Sequence, residues 1–187
     1  MQADLFAEEA PHEPGGKVKT ALPKGMRGSA YFCGDKQQYR VYLKRVWGST
    51  GENRYPLLIG MNPSTADAMH NDPTVTREIG FASAWGYEGL VKGNVCDYRA
   101  SFPRDLLAPG AIARSVENLP ILRKLAKEAD KVVLCYGVLP KPLRWAADDL
   151  TEALRADGNE LFCFGKTLLG FPRHPLYLPK DTALERF

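Results

Sequence analysis

Compact apolar runs alternate with segments of helical spacing along most of the chain. Tyr55-Pro56-Leu57-Leu58-Ile59-Gly60-Met61 is apolar and ends in Asn62-Pro63-Ser64, the pattern of a buried strand running into a loop. Over residues 74–85 the apolar positions Val75, Ile79, Phe81 and Ala82 recur at helical spacing, and Asp72-Pro73 ahead of them supplies a capping side chain and an early proline. Gly89-Leu90-Val91-Lys92-Gly93-Asn94-Val95-Cys96 predicts the next strand and residues 116–129 a helix. Lys131-Val132-Val133-Leu134-Cys135-Tyr136-Gly137 predicts a third buried strand, residues 143–157 a helix, and Glu160-Leu161-Phe162-Cys163-Phe164 a fourth strand. Upstream, Ala30-Tyr31-Phe32-Cys33 and Tyr39-Arg40-Val41-Tyr42-Leu43 flank Gly34-Asp35-Lys36, a hairpin signature. Repeated alternation of strand and helix implies an α/β fold of three layers, αβα, around a central and mainly parallel sheet.

Residues 1–27 are rich in Glu, Pro, Gly and Lys and carry no periodic apolar pattern after Phe6, which reads as a flexible tail ahead of a single domain over 28–187. A chain of 187 residues with 44% hydrophobic positions buries a core without staples. The net charge of +3, from 25 basic against 22 acidic residues, is too small to mark nucleic-acid binding by itself and leaves room for a local basic groove. The N-terminus lacks a basic segment followed by an apolar one, and no run approaches the ~18 apolar residues of a membrane span. The expectation is a cytoplasmic monomer with no membrane contact. Cys33, Cys96, Cys135 and Cys163 lie far apart in apolar surroundings, without the close pairs that iron–sulfur clusters favour. They read as buried thiols, and neither a metal nor an organic cofactor is expected.

In an open parallel sheet the ligand crevice lies beyond the carboxyl ends of the strands, so the residues after each strand are the candidates for chemistry. Asn62 and Asn94 each bring an amide that donates and accepts, which suits reading the edge of a nucleobase. Gly60 permits close approach of backbone to a ligand, Pro63 stiffens the loop, and Ser64 follows with a hydroxyl; the competing reading of Asn62-Pro63-Ser64 is a simple turn. His174, between Arg173 and Pro175, is placed to stabilise a developing oxyanion, although a lone histidine also serves as a structural hydrogen-bonder. Asp67 and Asp72 are the nearest carboxylates, Asp72 with a competing role as helix cap. Phe81 and Tyr177 are candidates for stacking on a base, with core packing the alternative for Phe81. Arg99, Lys166 and Arg173 are candidate phosphate contacts on the same rim. Gly165-Lys166-Thr167 lacks the upstream glycine of a phosphate loop, which argues against nucleoside triphosphate hydrolysis.

The runs Asn62-Pro63-Ser64-Thr65-Ala66-Asp67-Ala68, Asn71-Asp72-Pro73-Thr74, Trp85-Gly86-Tyr87, Arg99-Ala100 and Gly170-Phe171-Pro172-Arg173-His174-Pro175-Leu176-Tyr177 resemble, in order, the domain-of-unknown-function 1643 family over roughly residues 29–180. A more distant resemblance, at the strand ends, is to the uracil-DNA glycosylase superfamily. Gly60-Met61-Asn62-Pro63 is similar to the first motif of the mismatch-specific uracil glycosylases, in which the Asn orients the attacking water. Asn94 matches a strand-end Asn that reads a pyrimidine edge, and His174-Pro175-Leu176 resembles the closing motif, whose His bonds the base carbonyl. The resemblance implies a glycosylase-like fold and base flipping, with Asn62 positioning water, Asn94 reading the base, His174 stabilising charge on the leaving base and Asp67 adding electrostatic help. Asn62 stands where the most active uracil enzymes have a carboxylate, and Leu176-Tyr177 where the glycosylases favour Ser and small residues.

Gln2-Ala3-Asp4-Leu5-Phe6 resembles the pentapeptide by which bacterial polymerases and repair proteins bind the sliding clamp. Leu5 and Phe6 would fill an apolar pocket while Gln2 makes polar contacts, and the segment would order on binding. Taken together, the expected function is a DNA-base-recognising enzyme of glycosylase type whose partners are DNA and the clamp. Two alternatives stay open: a non-catalytic DNA- or nucleotide-binding module with the same fold, and an enzyme acting on free nucleosides or hypermodified bases.

Overall fold

A computed structural model of the protein describes residues 18–187; Gln2, Leu5 and Phe6 of the clamp-like peptide lie outside the described residues. The chain first forms a two-residue strand β1 (Thr20–Ala21) and then the expected hairpin of β2 (Arg27–Cys33) and β3 (Tyr39–Val46). The apolar run before Asn62 becomes β4 (Pro56–Gly60), buried at every position. A second short strand, β5 (His70–Asn71), pairs antiparallel with β1. Ordered structure therefore begins inside the stretch read from sequence as tail. Two-residue strands have no period for a sequence to display.

Helix α1 (Pro73–Ala84) starts where Asp72 and Pro73 direct it, with Asp72 Oδ1 accepting from Val75 N at 2.8 Å. Strand β6 (Gly89–Asn94), helix α2 (Asn118–Glu128), strand β7 (Lys131–Leu134), helix α3 (Arg144–Ala156) and strand β8 (Leu161–Cys163) follow in the anticipated alternation. A final strand β9 (Glu185–Arg186) closes the far edge. The seven-stranded sheet has the order β2-β3-β6-β4-β7-β8-β9.

The mainly parallel sheet expected from the alternation is instead mixed. β6, β4, β7 and β8 run parallel, but the hairpin joins β6 antiparallel through β3, and β9 joins β8 antiparallel. The βα units fix the parallel centre, because each helical crossover returns the chain in the same direction. The edges are added by the tight turn between β2 and β3 and by the long segment between Cys163 and Glu185, neither of which is an α-helical crossover that would impose a parallel direction.

Alternate residues of the central strands pack to opposite faces. Leu57, Ile59, Val91, Val132 and Leu134 join Leu122 and Ala126 of α2 and Leu150 and Leu154 of α3 in one core cluster. Leu58, Leu90, Val133 and Cys135 join Phe81 and Ala82 of α1, with Phe164, in another. Gly93 permits the tight approach of α2, since a Cβ there would stand 2.3 Å from Leu122 Cδ2. Burial of each such leucine is worth about 1.5–3 kcal/mol.

The connectivity also places the crevice. From β4 the chain crosses by α1 to β6 on one side, and from β6 it crosses by α2 to β7 on the other side of β4. The chain leaves β4 toward β6 and leaves the neighbouring β7, by α3, toward β8, so the loops at the carboxyl ends of β4 and β7 part to leave a depression.

Candidate functional site

A cleft of about 420 Å³ opens at the carboxyl ends of β4, β6 and β7, within the size range of small-molecule sites. Gly60, the last residue of β4, is in register with Asn94, the last of β6. A Cβ on Gly60 would lie 2.9 Å from Lys92 Nζ and 3.1 Å from Asn94 Oδ1, so the glycine leaves open the space beside both groups. Asn94 is 0% exposed and lines the cleft, yet neither its Oδ1 nor its Nδ2 has a hydrogen-bond partner among the described residues. Its backbone is held by Asn118, whose Nδ2 donates to the Asn94 carbonyl at 3.2 Å. Leaving a buried amide unmatched costs about 1–3 kcal/mol, which makes the site a place prepared for an incoming polar group.

Asn62 lines the same cleft from the loop after β4. Its Nδ2 donates to the carbonyl oxygens of Ala100, at 2.7 Å, and Pro63, at 3.0 Å. Both amide hydrogens are committed to backbone carbonyls, one in the loop and one after β6, and Oδ1 remains as an acceptor without a donor among the described residues. Pro63 itself is buried, and its carbonyl also accepts from Ala100 N at 2.9 Å, so the loop after β4 and the segment after β6 are tied together. Ser64 lines the cleft with an Oγ that has no partner among the described residues.

His174 caps a short 3-10 turn, Pro175–Tyr177, and its Nδ1 accepts from Leu176 N at 3.3 Å. In the neutral ring that bond places the proton on Nε2 and makes it a donor. Arg77 of α1 donates to the Leu178 carbonyl, and Gly137 N donates to the Pro172 carbonyl at 3.0 Å, so α1 and the loop after β7 both hold the His174 segment at the cleft. Tyr177, 90% exposed, stands at its mouth.

Two cations come from strands. Lys92 of β6 is ion-paired to Glu78 of α1, both fully or almost fully buried. Burial pushes the Glu78 carboxyl up against the pull of Lys92, and Cys135 Sγ lies 3.7 Å from the same carboxylate oxygen. Arg40 of β3 is 0% exposed; burial pulls its guanidinium down to about 10, opposed by the charge of Asp72.

The family model described as Protein of unknown function (DUF1643) matches residues 40–176. The chain belongs to that family. No curated protein and no solved structure matches the chain. The DUF1643 segment starts at Arg40 and ends at Leu176, so it contains every residue lining the cleft except Tyr177, which follows at once.

Of the residues singled out in the sequence, the fold brings Gly60, Asn62, Ser64, Asn94, His174 and Tyr177 to this cleft. It places others elsewhere. Phe81 is 2% exposed, with ring centroids 4.5 Å from Phe164 and 6.0 Å from Trp85, and belongs to the core rather than to a base-stacking surface. Asp67 closes the turn before β5, accepting from Met69 N at 2.8 Å and His70 N at 2.9 Å, while Asp72 both caps α1 and lines the cleft. The expected phosphate contacts do not line the cleft. Arg99 is 3% exposed beneath the Phe32 ring, Lys166 sits over Phe187, and the Arg173 backbone pairs with Gly165 on the outside. The cations at the cleft are Arg40 and Lys92, which the strand pattern passed over. Their signal was present: each is a charge inside an otherwise apolar strand run, where burial without a purpose is costly.

Cys96, Cys135 and Cys163 are buried free thiols, and Cys33 is partly exposed. Burial pushes the Cys96 thiol up to about 12. Among the described residues no three His, Cys, Asp or Glu side chains gather as a metal site, and no helix is long and apolar enough to cross a membrane.

Proposed function

We propose that the protein recognises a nucleobase in DNA and cleaves its N-glycosidic bond. The observation that carries this reading is Asn94, a wholly buried amide with a free donor and a free acceptor at the floor of the strand-end cleft. An adjacent N–H and C=O on a base edge is the complementary pattern. The nucleotide would leave the stack at a cost of about a few kcal/mol and enter the cleft. Asn62 Oδ1 accepts from a water and orients it toward the anomeric carbon. The C–N bond breaks with its electron pair moving to the base, the water oxygen bonds to the sugar carbon, and the water's proton neutralises the departing base. His174 Nε2–H donates to the oxygen on which that charge collects. Recruitment through Gln2, Leu5 and Phe6 to the sliding clamp would deliver the enzyme to newly made DNA.

The test is incubation of the protein with single- and double-stranded oligonucleotides containing uracil, hypoxanthine or 5-substituted pyrimidines, followed by alkaline cleavage at abasic sites. Abasic product that disappears in Asn62→Ala and His174→Ala is the expected result. A second reading, a binding module that performs no reaction, is favoured by the amide at Asn62, which cannot take a proton from water as a carboxylate does. Tight binding without product from every substrate selects that module and rejects the glycosylase.

A further inference from the structure

Arg40 and Arg45 are both buried arginines of β3, and the contrast between them is informative. Arg45 spends its donors on the fold: Nε donates to Asn71 Oδ1 at 2.7 Å, Nη1 to the Lys44 carbonyl at 2.9 Å, and Nη2 to the carbonyls of Asp67 at 2.6 Å and His70 at 2.8 Å. Arg40 spends only Nη1, on the Ala66 carbonyl at 2.6 Å. Its Nε and Nη2 have no partner among the described residues, and Arg40 lines the cleft whereas Arg45 does not. Nε and Nη2 form one edge of the guanidinium, two parallel N–H donors spaced to meet two oxygens of a carboxylate or phosphate.

We infer that the cleft contains an oxyanion subsite in which the Nε/Nη2 edge of Arg40 binds two oxygens of the substrate, so that the substrate class is a base or nucleotide carrying a phosphate or carboxylate.

Three further features converge on the same space. Ser64 Oγ, buried and unpartnered, supplies another donor. Helix α1 opens at the cleft through Pro73 and Thr74, and its amino-terminal end favours negative charge. The charged groups acting on Arg40 are Asp72, Arg45, Arg99 and Glu78. Glu78 is already matched by Lys92, and Asp72 gives one oxygen to Val75 N without forming an ion pair to Arg40. By charge count Arg40, Arg45 and Arg99 outnumber the unmatched Asp72, although Asp72 is the strongest single charge acting on Arg40 and lines the cleft as well. A buried guanidinium edge that lacks acceptors binds an anion far more strongly than a neutral group, because its donors are otherwise left unmatched.

The inference rests on the proposed reading only in taking the cleft as the substrate site, and it is tested by binding alone. Calorimetric titration of the full chain with deoxyuridine, deoxyuridine 5′-monophosphate, uracil, 5-carboxyuracil and orthophosphate separates the sources of the anion. The expected result is that the phosphorylated or the carboxylated probe binds at least about tenfold more tightly than its neutral parent. Tighter binding of the monophosphate, with orthophosphate competing, identifies a nucleotide phosphate; tighter binding of 5-carboxyuracil identifies an acidic base. The preference should vanish in Arg40→Gln and fall several-fold in Ser64→Ala, which removes no bond of the fold and guards against misfolding of the arginine variant. Equal affinity of both anionic probes and their neutral parents in the unaltered protein overturns the inference. Anion preference together with no abasic product overturns the glycosylase reading and leaves the subsite standing.

Discussion

Replacing Asn94 by leucine removes two buried polar atoms that meet no protein partner and keeps nearly the same shape. In the free protein the amide sits at 0% exposure with Oδ1 and Nδ2 both unmatched. The desolvation cost of such a group is about 1–3 kcal/mol, and the leucine does not incur it. Asn94→Leu is therefore expected to be more stable than the unaltered protein by about 1–3 kcal/mol, against the usual direction for a substitution at a buried position. For a chain of this length each kcal/mol raises Tm by roughly 2–4 °C. The assay is urea unfolding followed by circular dichroism, with Tm as a second measure, in buffer free of nucleotides and phosphate. Binding of every base-containing probe should be lost in the same variant, the trade of stability against function expected at a prepared site. A loss of 1 kcal/mol or more on Asn94→Leu would refute the reasoning, because it would show that the amide serves the fold.

Two further substitutions test the electrostatic reading. Arg45→Met strands the carbonyls of Asp67 and His70 and the side chain of Asn71, and should cost more than about 3 kcal/mol in urea unfolding, whereas Arg40→Met, which breaks a single bond, should cost less; equal losses would contradict the difference drawn between the two arginines. Lys92→Met leaves Glu78 buried without its cation and should cost about 3–5 kcal/mol at pH 7, most of it recovered in Glu78→Leu/Lys92→Met. Burial already raises the Glu78 carboxyl above its ordinary 4.5, and losing Lys92 raises it further. A folded-state value above the unfolded one favours folding at low pH, so the Lys92→Met deficit should be small below pH 4.5 and open as pH rises through the folded value. A deficit independent of pH would show that the pair is not ionic.

Much of the candidate site was legible in the chain because strand ends announce themselves. Gly60-Met61-Asn62 and Asn94 end apolar runs, and a parallel sheet puts such ends on one edge. Phe81 was ambiguous for a physical reason: its helical spacing is the same whether the ring faces a ligand or Phe164. Asp67 misled because a carboxylate near a loop in sequence says nothing of which amides it will cap, and here they are those of Met69 and His70.

The order of strands and helices, the Asp72 cap and the hairpin were determined by local pattern, since periodicity, capping and turn residues act over a few positions. Pairing partners act over many. The antiparallel edges, the β1–β5 ribbon and the burial of Arg40, Arg45, Lys92 and Glu78 were decided only by tertiary structure. A charge within a strand becomes a structural bond or an open donor according to what the rest of the chain brings to it. For Arg45 the fold brings the loop carbonyls of Asp67 and His70; for Arg40 it brings one carbonyl and a cleft.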